Sequence, residues 1–162
     1  MEGACRPALG EYLQYNGRCY ALTVYQRIAE FNKVITVDIG DFTLDYLMIR
    51  GGKPDLSVCD SLEKGVIRLY NDISSRVNSE QDILIDDTDI DRIILGERTD
   101  FHEEVVRIVE DMTKTYVNDI LGTLRERGLD LKAGCVVFIG GGGNGNGSTG
   151  RNFWRKWIDR TG

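Results

Sequence analysis

The stretch "DIGDFTLD", which begins at Asp38 directly after the apolar run "VITV", combines residue types that can hold a metal ion and a phosphate. Asp38 and Asp41 supply hard carboxylate oxygens, which suit a Mg²⁺ ion that keeps several of its waters. Gly40 leaves backbone N–H groups accessible to a phosphate oxygen, and Thr43 adds a hydroxyl donor. The same residues also suit an ordinary hairpin, in which Asp and Gly satisfy turn geometry and Asp45 faces solvent.

A second candidate is a run of glycines that follows the apolar segment "CVVFI". The run consists of Gly140, Gly141, Gly142 and Gly143. Ligands of open α/β sheets gather at the carboxyl ends of strands, where glycines let the backbone pass close to a bound group. The alternative is a plain loop between a strand and the linker-like stretch "NGNGSTG" that comes next.

Short strands must position the first candidate. The segments "KVITVDIG" and "FTLDYLMIRGG" predict two strands joined by a short turn, because both are rich in β-branched and aromatic residues. The segment "KPDLSVCD" predicts a third strand after the break at Gly51 and Gly52. The sequence therefore predicts a meander of three strands.

Helices are predicted after the meander. From Ser61, a plausible N-cap, Leu62, Val66, Leu69 and Ile73 recur at helical spacing. The acidic segment "NSEQDILIDDTDIDRIILGERTD" predicts small strands or a turn of helix around a loop. A long helix is then indicated by one apolar face, made of Phe101, Val105, Ile108, Val109, Met112, Tyr116, Ile120 and Leu124.

The ends of the chain carry less regular patterns. Gly128 is a natural C-cap for the long helix, and "CVVFI" after it predicts a fully apolar, buried strand. Residues 144–150 predict a flexible linker, and residues 151–162 a terminal helix. The opening segment predicts a helix or loop that leads into the first strand.

Composition narrows the classes of function. The chain has 162 residues and a net charge of −6, which disfavours direct binding to nucleic acid or to an anionic membrane. Its four cysteines form no CxxC pair, so neither a zinc site nor a disulfide framework is indicated. No signal peptide or apolar stretch of membrane-spanning length is visible, and we expect a cytoplasmic protein.

Other residues are better explained by structure than by chemistry. His102 lies at the start of the long helix, where a surface role is favoured over a metal or proton relay. The acidic run "DILIDDTDIDR" lacks the glycine and glutamate spacing of an EF-hand loop. Trp154 and Trp157 are favoured as core residues of the terminal helix over a basic aromatic patch.

The order of elements and the two glycine-containing motifs carry a resemblance to a known superfamily. A meander, a helix, an inserted piece, a long helix and a buried strand form the order of a ribonuclease-H-like α/β domain. "VDIGDFTLD" resembles the second phosphate-binding hairpin of the actin, sugar-kinase and DnaK-type chaperone superfamily, and "VVFIGGGG" resembles its adenosine-binding loop. "GVIRLYNDI", "DDTDIDRIILGER" and the long helix resemble actin-like ATPases of the ParM/StbA plasmid-segregation type.

This resemblance implies a fold and a division into parts. The fold is a mixed sheet flanked by helices, with a small inserted subdomain around residues 60–100. Residues 1–143 would form the second large domain of an actin-like ATPase. The first half of the cleft, with its own phosphate hairpin and aspartate, is not seen in the sequence, and neither are the final strand and helix.

The resemblance also implies roles for individual residues. ATP and Mg²⁺ would be the cofactors, with Asp38 and Asp41 holding the metal through its waters. The nucleotide-binding residues would be Gly40, Asp41, Phe42, Thr43, Gly140, Gly141, Gly142 and Gly143. Glu2, in "MEGACRPAL", resembles the "PEG/PES" glutamate that orients the attacking water in plasmid-segregation actins. Those proteins usually have a second glycine where this chain has Asp41.

Three functions remain open on the sequence. The first is a filament-forming ATPase that self-associates and contacts a DNA-bound adaptor, with this chain alone expected to be inactive. The second is a non-enzymatic actin-like scaffold for protein interaction. The third is a ribonuclease-H-like domain without a nucleotide role.

Overall fold

A computed structural model describes residues 31–131 and 135–139 of the chain. Its elements, in chain order, are β1 (Lys33–Ile39), β2 (Leu44–Arg50), β3 (Lys53–Leu62), α1 (Val66–Gln81), α2 (Asp87–Leu95), α3 (Glu103–Glu126) and β4 (Cys135–Ile139). The predictions for Glu2, the glycines at 140–143, the linker at 144–150 and the helix at 151–162 lie outside the described residues.

The four strands form one mixed sheet in the order β3-β2-β1-β4. β1 runs antiparallel to β2, and β2 antiparallel to β3, so the predicted meander is confirmed. β4 pairs with β1 in parallel, with Val34 opposite Cys135 and Asp38 opposite Ile139. The strand before the glycine run therefore lies beside the strand that ends at Asp38.

β1 is buried along most of its length. Val34, Ile35 and Val37 are inaccessible to solvent, and Thr36 is also buried. Burial of consecutive residues means that both faces of the strand are covered, because successive side chains point to opposite faces. The continuous apolar run that predicted this strand is thus explained by its interior place in the sheet.

One hydrophobic core joins the sheet to all three helices. Its buried members include Ile35 and Leu44 from the sheet and Ile73 and Ile90 from α1 and α2. The long helix α3 contributes one face, with Val105, Ile108, Val109, Val117, Ile120 and Leu124 buried. The predicted helical face is confirmed, and Gly128 follows the helix with a positive φ of 78°, as a C-terminal glycine does.

The start of α1 differs from the prediction. Ser61 is not an N-cap, because it belongs to β3, where it pairs with Asp45. The helix begins at Val66, and its N-cap is Gly65, which has extended backbone and offers no side-chain cap. A helical periodicity that ran back to Leu62 therefore crossed the end of a strand.

The acidic segment after α1 contains a nine-residue helix, α2, where small strands or a turn of helix were predicted. The Asp86 side chain accepts a hydrogen bond from the Asp89 backbone N–H at 2.9 Å, which caps the first turn. Gly96 ends the helix with a positive φ of 66°. The acidic residues Asp87 and Asp89 lie in the first turn, where carboxylates stabilise a helix.

β3 is interrupted by a bulge. Asp55 pairs with Met48 and Cys59 pairs with Leu47, so residues 56–58 have no partner on β2. The Ser57 backbone N–H and hydroxyl both donate to Asp55 Oδ1, which folds the extra residues into a small turn.

No helix within the described ranges is long and apolar enough to cross a bilayer.

Candidate functional site

The hairpin loop between β1 and β2 is short and closed. The last strand pair is Ile39 with Leu44, which leaves residues 40–43 as the loop. The Gly40 backbone N–H donates to the Thr43 carbonyl at 2.8 Å, which closes the turn. The predicted phosphate-binding residues are thus held together in one tight turn at the end of β1.

The carbonyl groups of this loop are bound by the start of α1. Three backbone bonds join them: Gly65 N to Phe42 O (3.0 Å), Val66 N to Gly40 O (3.1 Å) and Ile67 N to Asp41 O (3.0 Å). The first N–H groups of a helix have no partner within the helix. Here the hairpin loop supplies the missing acceptors, so loop and helix are fixed to each other.

The N–H groups on the same loop have no such partner. Within residues 31–131 and 135–139, the backbone N–H groups of Asp41, Phe42 and Thr43 donate no hydrogen bond. Consecutive backbone donors in a turn form a site that favours anions. The loop therefore presents three donors to any phosphate that reaches it.

Gly65 touches the hairpin so closely that a side chain does not fit. A Cβ atom on Gly65 would lie 2.1 Å from the Asp41 carbonyl oxygen and 2.4 Å from the Phe42 carbonyl carbon. Its φ of −78° and ψ of 167° are open to any residue, so the contact and not the backbone conformation requires glycine. At Gly40, by contrast, a Cβ would meet only the Thr43 carbonyl oxygen at 3.5 Å.

The polar side chains of the hairpin have different surroundings. Asp38 is half-buried at the end of β1, with its Oδ1 atom shielded from solvent, whereas Asp41 is exposed. The Thr43 hydroxyl donates to Asp45 Oδ2 at 3.0 Å, so Asp45 is exposed but accepts a bond within the hairpin. Phe42 is 71% exposed at the tip of the loop.

The two aspartates suit a hydrated ion better than a protein cage. Among the described residues, no group of three or more His, Cys, Asp or Glu side chains could enclose a metal. Mg²⁺ usually meets protein through one or two carboxylates and keeps waters and phosphate oxygens as its other ligands. Asp38 and Asp41 fit that donor set, and their role as metal ligands stays a prediction.

The segment before α1 is held by the long helix α3. The Tyr116 hydroxyl donates to the Lys64 carbonyl at 2.8 Å. Lys64 Nζ lies 2.6 Å from Asp119 Oδ2 and donates to Thr123 Oγ1 at 2.9 Å. Sequence reasoning missed these contacts, since Lys64 and Tyr116 are 52 positions apart and no local pattern joins them.

The tyrosine in this contact is shielded from solvent, which affects its titration. Burial, followed by the nearby Asp119 carboxylate, raises the pKa of Tyr116 above its ordinary value. The hydroxyl, which is protonated at neutral pH in any case, therefore remains a donor to Lys64 to a higher pH than an exposed tyrosine would.

A second buried tyrosine, Tyr70, lies close enough to Asp41 of the hairpin to be influenced by its charge. The Tyr70 hydroxyl of α1 donates to Asp91 Oδ1 of α2 at 2.5 Å. Burial raises the pKa of Tyr70, and the carboxylates of Asp91, Asp87 and Asp41 raise it further. Burial also raises the pKa of Asp91, with the Tyr70 hydrogen bond opposing the shift and Asp87 adding to it.

The glycine run follows a strand that ends at the same edge of the sheet. β4 runs parallel to β1, and Ile139 is the partner of Asp38. The carboxyl ends of parallel strands lie at one edge of a sheet. The glycine run therefore follows β4 in the chain at the edge where β1 leads into the hairpin. The glycines at 140–143 themselves lie outside the described residues.

One family of known proteins matches the sequence. The sequence model described as "Archaeal actin homologue MreB-like, C-terminal" matches residues 36–146, which is more than half of the chain. No curated protein sequence matches.

Solved structures share the fold. The chain is similar to the Alp12 filament structure, with a TM-score of 0.56 and 15% identity over 81% of this chain and 40% of that one. It is similar to the apo psk41 ParM protein, with a TM-score of 0.54 and 14% identity over 81% of this chain and 34% of that one. The third is a Bacillus thuringiensis ParM hybrid protein with ADP, with a TM-score of 0.52 and 16% identity over 81% and 21%.

These likenesses agree with the fold predicted from the sequence. The mixed four-stranded sheet and its helices form part of an actin-like, ribonuclease-H-like fold, as expected. The chain spans 40% or less of the length of each of these three structures.

Proposed function

The chain belongs to the family of archaeal MreB-like actin homologues, and from this premise we propose that it is the nucleotide-binding half of a filament-forming actin-like ATPase. In this proposal the hairpin loop binds the phosphates of Mg-ATP, and the glycines at 140–143 bind the adenosine. We further propose that the filament is of the plasmid-segregation type.

The observation that carries the proposal is the arrangement of the hairpin loop. Its carbonyls are taken up by α1, whereas the N–H groups of Asp41, Phe42 and Thr43 have no acceptor within the described parts of the chain. A loop with its carbonyls bound on one side and donors left over is suited to an anion. Its place at the carboxyl end of β1 is where ligands of open α/β sheets bind.

The hairpin's side chains would complete the site. Asp38 and Asp41 would hold Mg²⁺ through its waters, and the Thr43 hydroxyl would turn from Asp45 to a phosphate oxygen. When bound, the ion neutralises phosphate charge. Without it, the carboxylate of Asp41 would repel phosphate, so we propose that nucleotide binds together with the metal.

Catalysis and assembly belong to the whole protein in this proposal. Glu2 would orient the attacking water, a positioning role of the kind on which phosphoryl transfer depends. The Alp12 structure is that of a filament, which supports the proposal that this protein self-associates. A DNA-bound adaptor would be its other partner, and ATP hydrolysis would be coupled to polymerisation.

We expect this chain alone to bind Mg-ATP weakly and to turn over no nucleotide. The resemblance implies that the other half of an actin-like protein supplies several phosphate contacts. Each charge-assisted hydrogen bond is worth about 1.5–3 kcal/mol, so the loss of several weakens binding by several orders of magnitude.

Calorimetric titration with ATP tests the proposal, first with Mg²⁺ and then with a chelator. We expect weak binding with the metal and none without it. Asp38→Asn keeps the side-chain shape but removes the charge, and it should abolish the metal-dependent binding. Asp111→Asn, an exposed carboxylate on α3, is the control with the same change of charge.

Two results would contradict the proposal. Unchanged Mg-ATP affinity in Asp38→Asn would remove the metal role of that residue. Absence of any Mg-ATP binding by the chain would favour the scaffold function.

A further inference from the structure

Three successive peptide groups of the hairpin loop, residues 40–43, bind the start of α1 through their carbonyls. The carbonyls of Gly40, Asp41 and Phe42 accept bonds from α1, and the N–H groups of the next residue in each case have no acceptor among the described residues. The carbonyls that bind α1 and the N–H groups left without an acceptor thus belong to the same three peptide planes.

In a trans peptide the C=O and N–H groups point in opposite directions from one rigid plane. No cis peptide occurs among the described residues. A carbonyl directed at α1 therefore directs the N–H of the following residue away from α1. Each hydrogen bond from the helix start fixes the direction of one phosphate donor on the other side of the loop.

We propose that Gly65 is a positioning residue for the phosphate hairpin, because its lack of a side chain lets the α1 N-terminus orient all three donors. The ligand part of this inference rests on the proposed function, whereas the orientation of the loop does not. A Cβ at this position would meet the Asp41 and Phe42 peptide groups at 2.1–2.4 Å, so the loop must move. Donors fixed before the ligand arrives cost no reorganisation when it binds.

The long helix α3 contacts Lys64, the residue before Gly65. Tyr116 donates to the Lys64 carbonyl, directly before Gly65, and Lys64 Nζ contacts Asp119 and Thr123 on the same helix. Removal of the Tyr116 hydroxyl should loosen the residue that precedes the clamp without placing any atom in the loop. Tyr116 is therefore a second point at which the positioning can be tested.

The test compares two glycine variants of the whole chain. Gly65→Ala places a methyl group against the hairpin, and Gly122→Ala places one on α3, where an added Cβ has no atom within 4 Å. Amide hydrogen exchange and ¹⁵N spectra report on the clamp without any ligand. Titration with Mg-ATP, followed at the amides of residues 41–43, reports on the donors.

In the unaltered chain we expect slow hydrogen exchange at the Val66 and Ile67 amides. Addition of Mg-ATP should change the NMR chemical shifts of the amides of residues 41–43. In Gly65→Ala, exchange at Val66 and Ile67 should rise at least tenfold, and Mg-ATP affinity should fall about tenfold, the effect of one lost charge-assisted bond. Exchange at Val117 in the core of α3 reports global unfolding and should rise only as far as the overall stability falls, so exchange at Val66 and Ile67 is compared with it. Gly122→Ala should show no rise in exchange at these amides and should bind Mg-ATP as the unaltered chain does.

Tyr116→Phe keeps the inference testable if Gly65→Ala does not fold. It should raise exchange at Val66 and Ile67 while the core amides stay protected. Unchanged exchange at these two amides in a folded Gly65→Ala or in Tyr116→Phe would overturn the inference.

The two proposals fail in different ways. If Mg-ATP shifts no hairpin amide of the unaltered chain while exchange at Val66 and Ile67 responds to the variants, the phosphate function fails and the orienting role of Gly65 stands. If Mg-ATP shifts the hairpin amides equally in the unaltered chain and in Gly65→Ala, the positioning role fails and the phosphate function stands.

Discussion

The starts of α1 and α2 satisfy the same need in opposite ways. Both helices have N–H groups in the first turn that lack acceptors within the helix. α2 uses its own residue Asp86, whose side chain accepts from the Asp89 N–H. α1 uses the carbonyls of a loop more than twenty positions earlier, and its N-cap Gly65 contributes no side-chain bond.

The difference separates a local cap from a tertiary one. The cap of α2 forms whenever that stretch becomes helical, because donor and acceptor are three residues apart. The cap of α1 exists only when β1 and β2 are paired and the loop is in place. The first turn of α1 therefore depends on the sheet, and the hairpin loop depends on α1 in return.

The largest expected effect is at Gly65. We expect Gly65→Ala to reduce the free energy of unfolding by about 3 kcal/mol, because the methyl group overlaps the backbone of a packed loop. Gly122→Ala should instead raise it by about 0.5–1 kcal/mol, because alanine favours a helix where space is open. Urea denaturation measures both.

Opposite signs for the two variants are the outcome that matters for the comparison. Equal stability of Gly65→Ala and the unaltered chain would mean that the α1 start is not clamped to the hairpin as described.

A smaller effect is expected at the local cap. Asp86→Ala should reduce the free energy of unfolding by about 1 kcal/mol, since it removes the acceptor of the Asp89 N–H. Asp86→Ser, which can cap in the same way, should recover most of that loss. Mg-ATP shifts at the hairpin should stay as they are in both variants. A loss of those shifts in Asp86→Ala would show that the two helix starts are coupled.

The smallest effect concerns the contact between the two helices, Tyr70 with Asp91. Burial raises the pKa of Asp91 above its ordinary value of 3.8. The folded state therefore binds the Asp91 proton more tightly than the unfolded state does. The stability that protonated Asp91 contributes is lost as the pH rises from 3.8 through the raised pKa. Asp91→Asn cannot titrate, so relative to the unaltered chain it should be more stable at about pH 7 than at about pH 4.

Thermal unfolding at the two pH values measures this difference, with Asp111→Asn, an exposed carboxylate, as the control. A lower relative stability of Asp91→Asn at the higher pH would contradict the raised pKa.

The sequence predicted the elements whose signals are local. β1 and β2 were predicted from segments rich in β-branched and aromatic residues, and α3 from helical spacing, and each was found. The cap of α2 is also a local signal, with Asp86 three residues before Asp89 and Gly96 at the end of the helix. The acidic composition nevertheless led to the prediction of small strands or a turn of helix around a loop. The start of α1 was misplaced because its cap consists of backbone carbonyls, which no residue type reveals.

The candidate site divides along the same line. The residue types of the hairpin indicated phosphate chemistry, and the structure holds residues 40–43 in one closed turn. The contacts of Gly65 and Tyr116 with that region join positions that are far apart in the chain. Such contacts depend on the packed fold, so neither glycine nor tyrosine carried a signal.

The bulge in β3 limits how copies of the protein can associate. β3 has a single partner, β2, among the described strands, and such an outer strand is a template for strand addition from another molecule. On either side of the bulge only residues 53–55 and residues 59–62 keep a regular ladder, and Pro54 lacks an N–H group. Runs of three and four residues are shorter than a usual strand of about 5–6 residues. The pairing of β3 with a strand from another molecule, edge to edge, is therefore disfavoured.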